Sequence, residues 1–221
     1  MNRCARRQDG LSLVEALVGL ALGLLVVAVG LATKVAHLHD TRRVAQGLGQ
    51  MQAMRATLDL LSRDLRRAGH WQDALAGVAA AAPAGPVPSN PYALDTAPPP
   101  GMLVGYGHAV PEGRSADRFG WRLRRATVEF QLGTNQWHAV TDPDILEVTR
   151  LEVVPAAHEV SLAAYCLAPC PAESADCPPR QRVVSYRIEL RGQVPGVPAS
   201  ARDLGTTLTV RNDTVVGACG P

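Results

Sequence analysis

The sequence predicts an α+β fold: one long N-terminal α-helix, half of it apolar enough for a membrane and half amphipathic, packed on an antiparallel β-sheet. Three observations carry this. Residues 11–33 are apolar with a single acid. A proline-free segment with three- and four-residue hydrophobic spacing follows, and beyond residue 102 the period falls to two. Strand runs that follow one long helix, rather than alternating with helices, give an α+β rather than an α/β arrangement.

The first element is the run from Leu11 to Thr33, whose only charged side chain is Glu15. Its 23 residues, at about 1.5 Å each, make roughly 34 Å of helix, enough for a hydrocarbon core of about 30 Å. Arg3, Arg6 and Arg7 precede it and orient the N-terminus toward the cytoplasm. A cleaved secretory signal fits poorly, because the run is too long, holds an acid, and offers only Ala28-Val-Gly30 as a small-x-small site. A plain signal anchor accounts for length and orientation but not for Glu15. A carboxylate inside the bilayer costs several kcal/mol without a partner, and snorkelling toward the headgroups is the simplest alternative for it.

Arg7-Gln-Asp-Gly10, followed by Leu11-Ser-Leu-Val-Glu15 and an apolar helix, resembles the class III signal of type IV prepilins. The resemblance implies cleavage between Gly10 and Leu11 by a prepilin peptidase, N-methylation of Leu11, and an assembly role for Glu15. That acid matches the family's glutamate five residues into the mature chain. Leu11 departs from the usual Phe. The new α-amino group of Leu11 would lie about 6 Å along the helix from Glu15. An ammonium and a carboxylate withdrawn from water compensate each other when paired, here across neighbouring subunits. Residues 1–10 are then a leader, 11–33 a transmembrane and filament-core helix, and 34–69 an amphipathic periplasmic helix.

Val44, Leu48, Met51, Met54, Leu58, Leu61, Leu65 and Ala68 form one stripe on that second half. Asp59 and Arg63 stand at i,i+4, and Asp64 and Arg67 at i,i+3, each pair worth a few tenths of a kcal/mol. Gly47 and Gly49 weaken the helix by about 1 kcal/mol each relative to Ala, so a bend or local melting is expected there. Gly69 follows Arg66 and Arg67 and supplies a C-terminal stop. The stretch Leu58-Asp-Leu-Leu-Ser-Arg-Asp-Leu-Arg-Arg-Ala-Gly-His-Trp71 resembles the close of the long helix in PilW-like minor pilins, whose type IV pilin-like fold it implies.

Residues 70–101 hold Pro83, Pro86, Pro88, Pro91, Pro98, Pro99 and Pro100, which exclude a long helix or central strand and predict a connecting loop. Residues 102–221 are expected to form the β-sheet domain. Strand runs lie at 122–132, 145–154, 160–165, 183–190 and 206–211, separated by Gly133-Thr-Asn, Asp142-Pro-Asp and Gly196-Val-Pro. Thr209-Val-Arg-Asn212 resembles the last strand of the same minor pilins.

Of five cysteines, Cys4 lies in the leader, leaving Cys166, Cys170, Cys177 and Cys219. An even number in an exported domain reads as two disulfides with three possible connectivities. A zinc site is the rival, since Cys166-x3-Cys170 has tolerable spacing, but no second tight pair follows it. The bridges are expected to staple the proline-rich segment 166–178 and the tail at Cys219, with the pairing left open.

Formal net charge is +2, and removing residues 1–10 leaves 19 basic and 19 acidic side chains. Neutrality, together with few aromatics, argues against a dedicated nucleic-acid surface. No Gly-x-Ser-x-Gly or phosphate-binding glycine loop is present. His158-Glu159 begins a zincin-like motif but position 162 is Leu, and Asp142-Pro-Asp144 reads as a turn before a calcium site. We therefore expect no enzyme, no catalytic residue, no cofactor and no metal.

The resemblance implies instead a minor pilin that helps prime type IV pilus assembly, in support of adhesion, twitching or DNA uptake. Its partners would be major and minor pilins, the prepilin peptidase and N-methyltransferase, and the inner-membrane assembly machinery. It would sit in the inner membrane by one span, C-terminal domain in the periplasm, before joining the pilus. The alternatives are a minor pseudopilin of type II secretion and a signal-anchored periplasmic domain.

Overall fold

One helix, α1, runs from Leu13 to Arg67 and precedes every strand. The computed structural model describes residues 12–72, 90–94, 97–109, 118–133, 135–171 and 176–219. The leader, Gly10 and Leu11 lie outside the described residues, as does much of the proline-rich segment. The chain divides into two units, residues 1–46 and 47–221.

In the first unit every described residue from Ser12 to Gln46 is helical or immediately precedes the helix. Leucine, valine and alanine side chains surround it, and the large ones are exposed. Its apolar window has a mean hydropathy of 2.5, with none of it buried within the protein. A helix apolar on every side, with its apolar window unburied among the described residues, is compatible with a single-pass membrane anchor. Thr33, the polar residue closing the run, donates its hydroxyl to the carbonyl of Gly30 at 2.9 Å, which satisfies it within the helix.

The second unit begins with the last turns of α1 and covers one face of them with strands. Gln50, Met54, Thr57, Leu58, Leu61, Asp64 and Leu65 are the buried helix residues. The packing stripe therefore starts later than the sequence spacing suggests, because Val44 and Leu48 are 62% and 67% exposed. Gly47 and Gly49 do not interrupt α1. The helical hydrogen-bond ladder outweighs a penalty of about 1 kcal/mol per glycine. Asp64 pairs with Arg67 at 3.0 Å, whereas Asp59 and Arg63 are not among the ion pairs of the described residues.

Two antiparallel sheets follow. The first is a meander of β1 (Val104–Gly107), β2 (Arg118–Arg124), β3 (Thr127–Leu132) and β4 (Trp137–Ala139) in that order. The second has the order β5-β6-β7, made of Glu147–Ser161, Arg180–Val194 and Val197–Thr209, with β8 (Thr214–Val216) pairing to β6 beyond β7. Along β6 the side chains alternate as a half-buried strand must: Val184, Tyr186, Ile188, Leu190 and Val194 face the core. The first four of these meet Met54, Leu58, Leu61 and Leu65 of α1, with Trp121 and Val128 contributed by the first sheet.

Three strand expectations need correction. The run 122–132 is a hairpin, not one strand: it folds back at Arg125 and Ala126, with φ of 49° and 61°, so that Arg124 pairs with Thr127. Two successive positive φ values in a two-residue hairpin loop normally call for Asn-Gly, and Arg-Ala carries no such signal. The amide of Val148 compensates by donating to the Ala126 carbonyl at 2.9 Å. The run 145–154 and the first two residues of 160–165 fall on one continuous strand, β5 (Glu147–Ser161), and the rest of the second run is a single 3-10 turn at Ala163–Tyr165. Pro155 sits within β5 without disrupting it because β5 pairs only with β6, and a proline on an edge strand forfeits no ladder bond. Lastly, the run 206–211 is only the end of β7, which starts at Val197 and stops at Thr209, so Thr209–Asn212 is not a strand of its own. The short strands β1, β4 and β8 carry too few residues for an alternation signal.

Of the expected turns, Asp142-Pro-Asp forms and the chain reverses at Gly196, with Val197 and Pro198 already in β7, while Thr134 of Gly133-Thr-Asn lies outside the described residues. Asp142 accepts the amide of Asp144 on its Oδ1 at 2.9 Å, an Asx turn. Gly196, at φ 71°, joins β6 to β7 with Val194 opposite Val197.

Candidate functional site

The cleavage site inferred from sequence is Gly10-Leu11, outside the described residues. Glu15 is described: it lies in the first turn of α1, where a carboxylate suits the positive end of the helix dipole. It is exposed and has no ion-pair partner among the described residues. A carboxylate so placed, at the start of an apolar helix, is available to a cation from outside this chain.

The other end of α1 is held by hydrogen bonds. Gly69 takes a φ of 74°, the left-handed geometry that ends helices and that glycine adopts without strain. Its amide donates to the carbonyl of Gly107 at 2.8 Å, and the Ala109 amide donates to His70 O at 2.8 Å. Two asparagines satisfy the helix-end carbonyls: Asn212 Nδ2 donates to Ala68 O at 3.0 Å and Asn90 Nδ2 to Gly69 O at 2.8 Å. The Ala-Gly-His ending is thus where α1, the start of the first sheet and the chain after β7 converge.

In the last turn of α1, Asp64 is buried near the Tyr106 phenol. Burial first, and the Asp64 carboxylate second, push the Tyr106 phenol far above its ordinary value, so it remains a hydrogen-bond donor across the physiological range. Gln50 is another buried polar group; its amide donates to Gly192 O at 2.9 Å and Ser200 O at 3.1 Å, tying α1 to the β6–β7 pair. Sequence spacing did not single out Gln50, Tyr106 or Asn90. Gln50 carried a detectable signal, a polar residue one helical turn before Met54 in an apolar stripe.

The four cysteines form two bridges. Cys166 joins Cys219 across a separation of 53 residues, and Cys170 joins Cys177 across 7. The first ties the turn after β5 to the C-terminal tail, and the second closes the proline-rich segment on itself. In the chain-entropy account a loop of 53 residues destabilises the unfolded chain by about 4 kcal/mol. Reduction is therefore expected to shift gel mobility and to expose residues 217–219 to carboxypeptidase, with trimming faster than in the oxidised protein. Equal trimming rates would show that the bridge does not hold the tail. Among the described residues no group of three or more His, Cys, Asp or Glu is placed to hold a metal ion.

Comparison with known proteins places this geometry. A family model described as PpdB, prepilin peptidase-dependent protein B, matches residues 44–210. That span runs from the second half of α1 to the end of β7 and includes the helix-end clamp except Asn212. No curated protein and no solved structure matches the chain.

Proposed function

Because this chain belongs to the prepilin peptidase-dependent protein B family, we propose that it is a PilW-like minor subunit of the type IV pilus. The observation that carries the proposal is the family match over residues 44–210, behind a helix whose apolar window reaches a mean hydropathy of 2.5. Its work is association rather than catalysis. Prepilin peptidase cuts between Gly10 and Leu11, Leu11 is N-methylated, and the freed helix leaves the inner membrane to pack among the helices of other pilins. Glu15 then pairs with the terminal ammonium of a neighbouring subunit and sets axial register. The disulfide-bearing sheet domain, periplasmic before assembly, faces outward to meet other minor pilins and prime the filament.

Filaments sheared from cells test this. Immunoblots are expected to find the protein in the sheared fraction of wild-type cells and to lose it in cells lacking the prepilin peptidase. The precursor would then accumulate in the inner membrane. Equal amounts in both sheared fractions would overturn the proposal.

A further inference from the structure

An open cleft of about 600 Å³ lies beside the last turns of α1, lined by Asp59, Leu60, Ser62, Arg63, Arg66 and Arg211, with the Asp64–Arg67 pair at its side. The helical residues share a face because they recur at spacings of three and four. Arg211 reaches the cleft from the segment just after β7. Arg67 is engaged by Asp64. Among the described residues, Arg63, Arg66 and Arg211 make no side-chain hydrogen bond or ion pair. Three guanidinium groups, unpaired among the described residues, line the cleft together with one exposed leucine, Leu60, 42% accessible.

We propose that this cleft is a docking site for an acidic, leucine-bearing segment of another protein subunit. The partner's carboxylates pair with Arg63, Arg66 and Arg211, and its apolar side chain covers Leu60. This rests on the reading of the chain as a filament subunit, which requires protein partners.

The composition of the cleft selects protein over nucleic acid. Arginine forks match carboxylates as two parallel hydrogen bonds, and arginine is enriched at energetically important interface positions. No aromatic side chain lines the cleft, so bases find no stacking platform. The chain as a whole, at +2, lacks the basic field that steers proteins to nucleic acid.

The test uses the full chain in detergent micelles and a fluorescently labelled peptide of repeated Leu-Glu-Glu units. A short DNA duplex is the competitor. Saturable peptide binding is expected, weakened at least about tenfold when Arg63→Glu, Arg66→Glu and Arg211→Glu are combined. Asp59→Arg, which adds a guanidinium to the same cleft, is expected to tighten it. Unchanged binding in the triple variant, or a duplex that binds more tightly than the peptide, overturns the proposal. If the triple variant does not fold, Asp59→Arg decides alone: tighter binding supports the site, while unchanged or weaker binding overturns it. A mature chain beginning at Leu11 that fails to bind the peptide overturns the docking site and leaves the filament reading standing.

Discussion

Replacing Glu15 with Ala is expected to leave the protein cleaved and membrane-bound but at least about tenfold depleted from sheared filaments, as read by quantitative immunoblot. Glu15 stands exposed at the start of α1, without an ion-pair partner among the described residues. In lipid the carboxylate reaches the headgroup region near the helix end, so the monomer tolerates it. In a filament core water is excluded, and an ammonium from a neighbour then faces either a carboxylate or nothing. Leaving one member of a buried ion pair uncompensated costs about 3–5 kcal/mol, while tenfold depletion needs only about 1.4 kcal/mol. The predicted loss therefore survives considerable relaxation of the site. Glu15→Asp, which keeps the charge on a shorter stem, is expected to recover part of the incorporation. Wild-type levels of Glu15→Ala in filaments would refute the register role.

Leu61→Ala is expected to have the largest effect on the folded domain. Leu61 is fully buried between α1 and the sheets, and truncating such a leucine removes about 2–5 kcal/mol through lost transfer energy and the cavity left behind. For a domain of this size each kcal/mol moves the midpoint by about 2–4 °C, so a fall of roughly 10 °C is expected in detergent-solubilised protein. Its neighbour Leu60 supplies the control: being 42% exposed, it makes Leu60→Ala a substitution of about 0.5 kcal/mol or less. Similar melting temperatures for the two variants would mean that the helix does not pack on the sheets along the Leu61 face.

Much of this architecture was legible because it depends on periodicity. The long helix, its stop at Gly69 and the middle of β6 show the spacing that their buried faces require, whereas β5 buries Val148 and Leu151 across a bulge and β7 buries only Leu208, so their full extents carried no such signal. The start of the packing stripe was not legible, because Val44 and Leu48 continue the spacing of Met54 and Leu58 while lying exposed. Spacing reports which side of a helix is apolar, not whether anything covers it. The Arg125-Ala126 reversal was hidden for a different reason. Its left-handed backbone is held by a long-range bond from Val148 rather than by turn residues. The helix-end clamp was half visible: Gly69 announces itself, but Asn90 and Asn212 act across separations of 21 and 144 residues, which local sequence does not encode. The cysteine count predicted two bridges, and only the folded chain pairs Cys166 with Cys219 and Cys170 with Cys177.

The central claim is that α1 begins as a membrane helix and becomes a filament helix after removal of residues 1–10. Mass spectrometry of the mature N-terminus tests it most directly. The account predicts a chain that starts at Leu11 and carries one methyl group on its α-amino nitrogen. A chain that retains Met1, or one cut after the apolar run near Gly30, would contradict it.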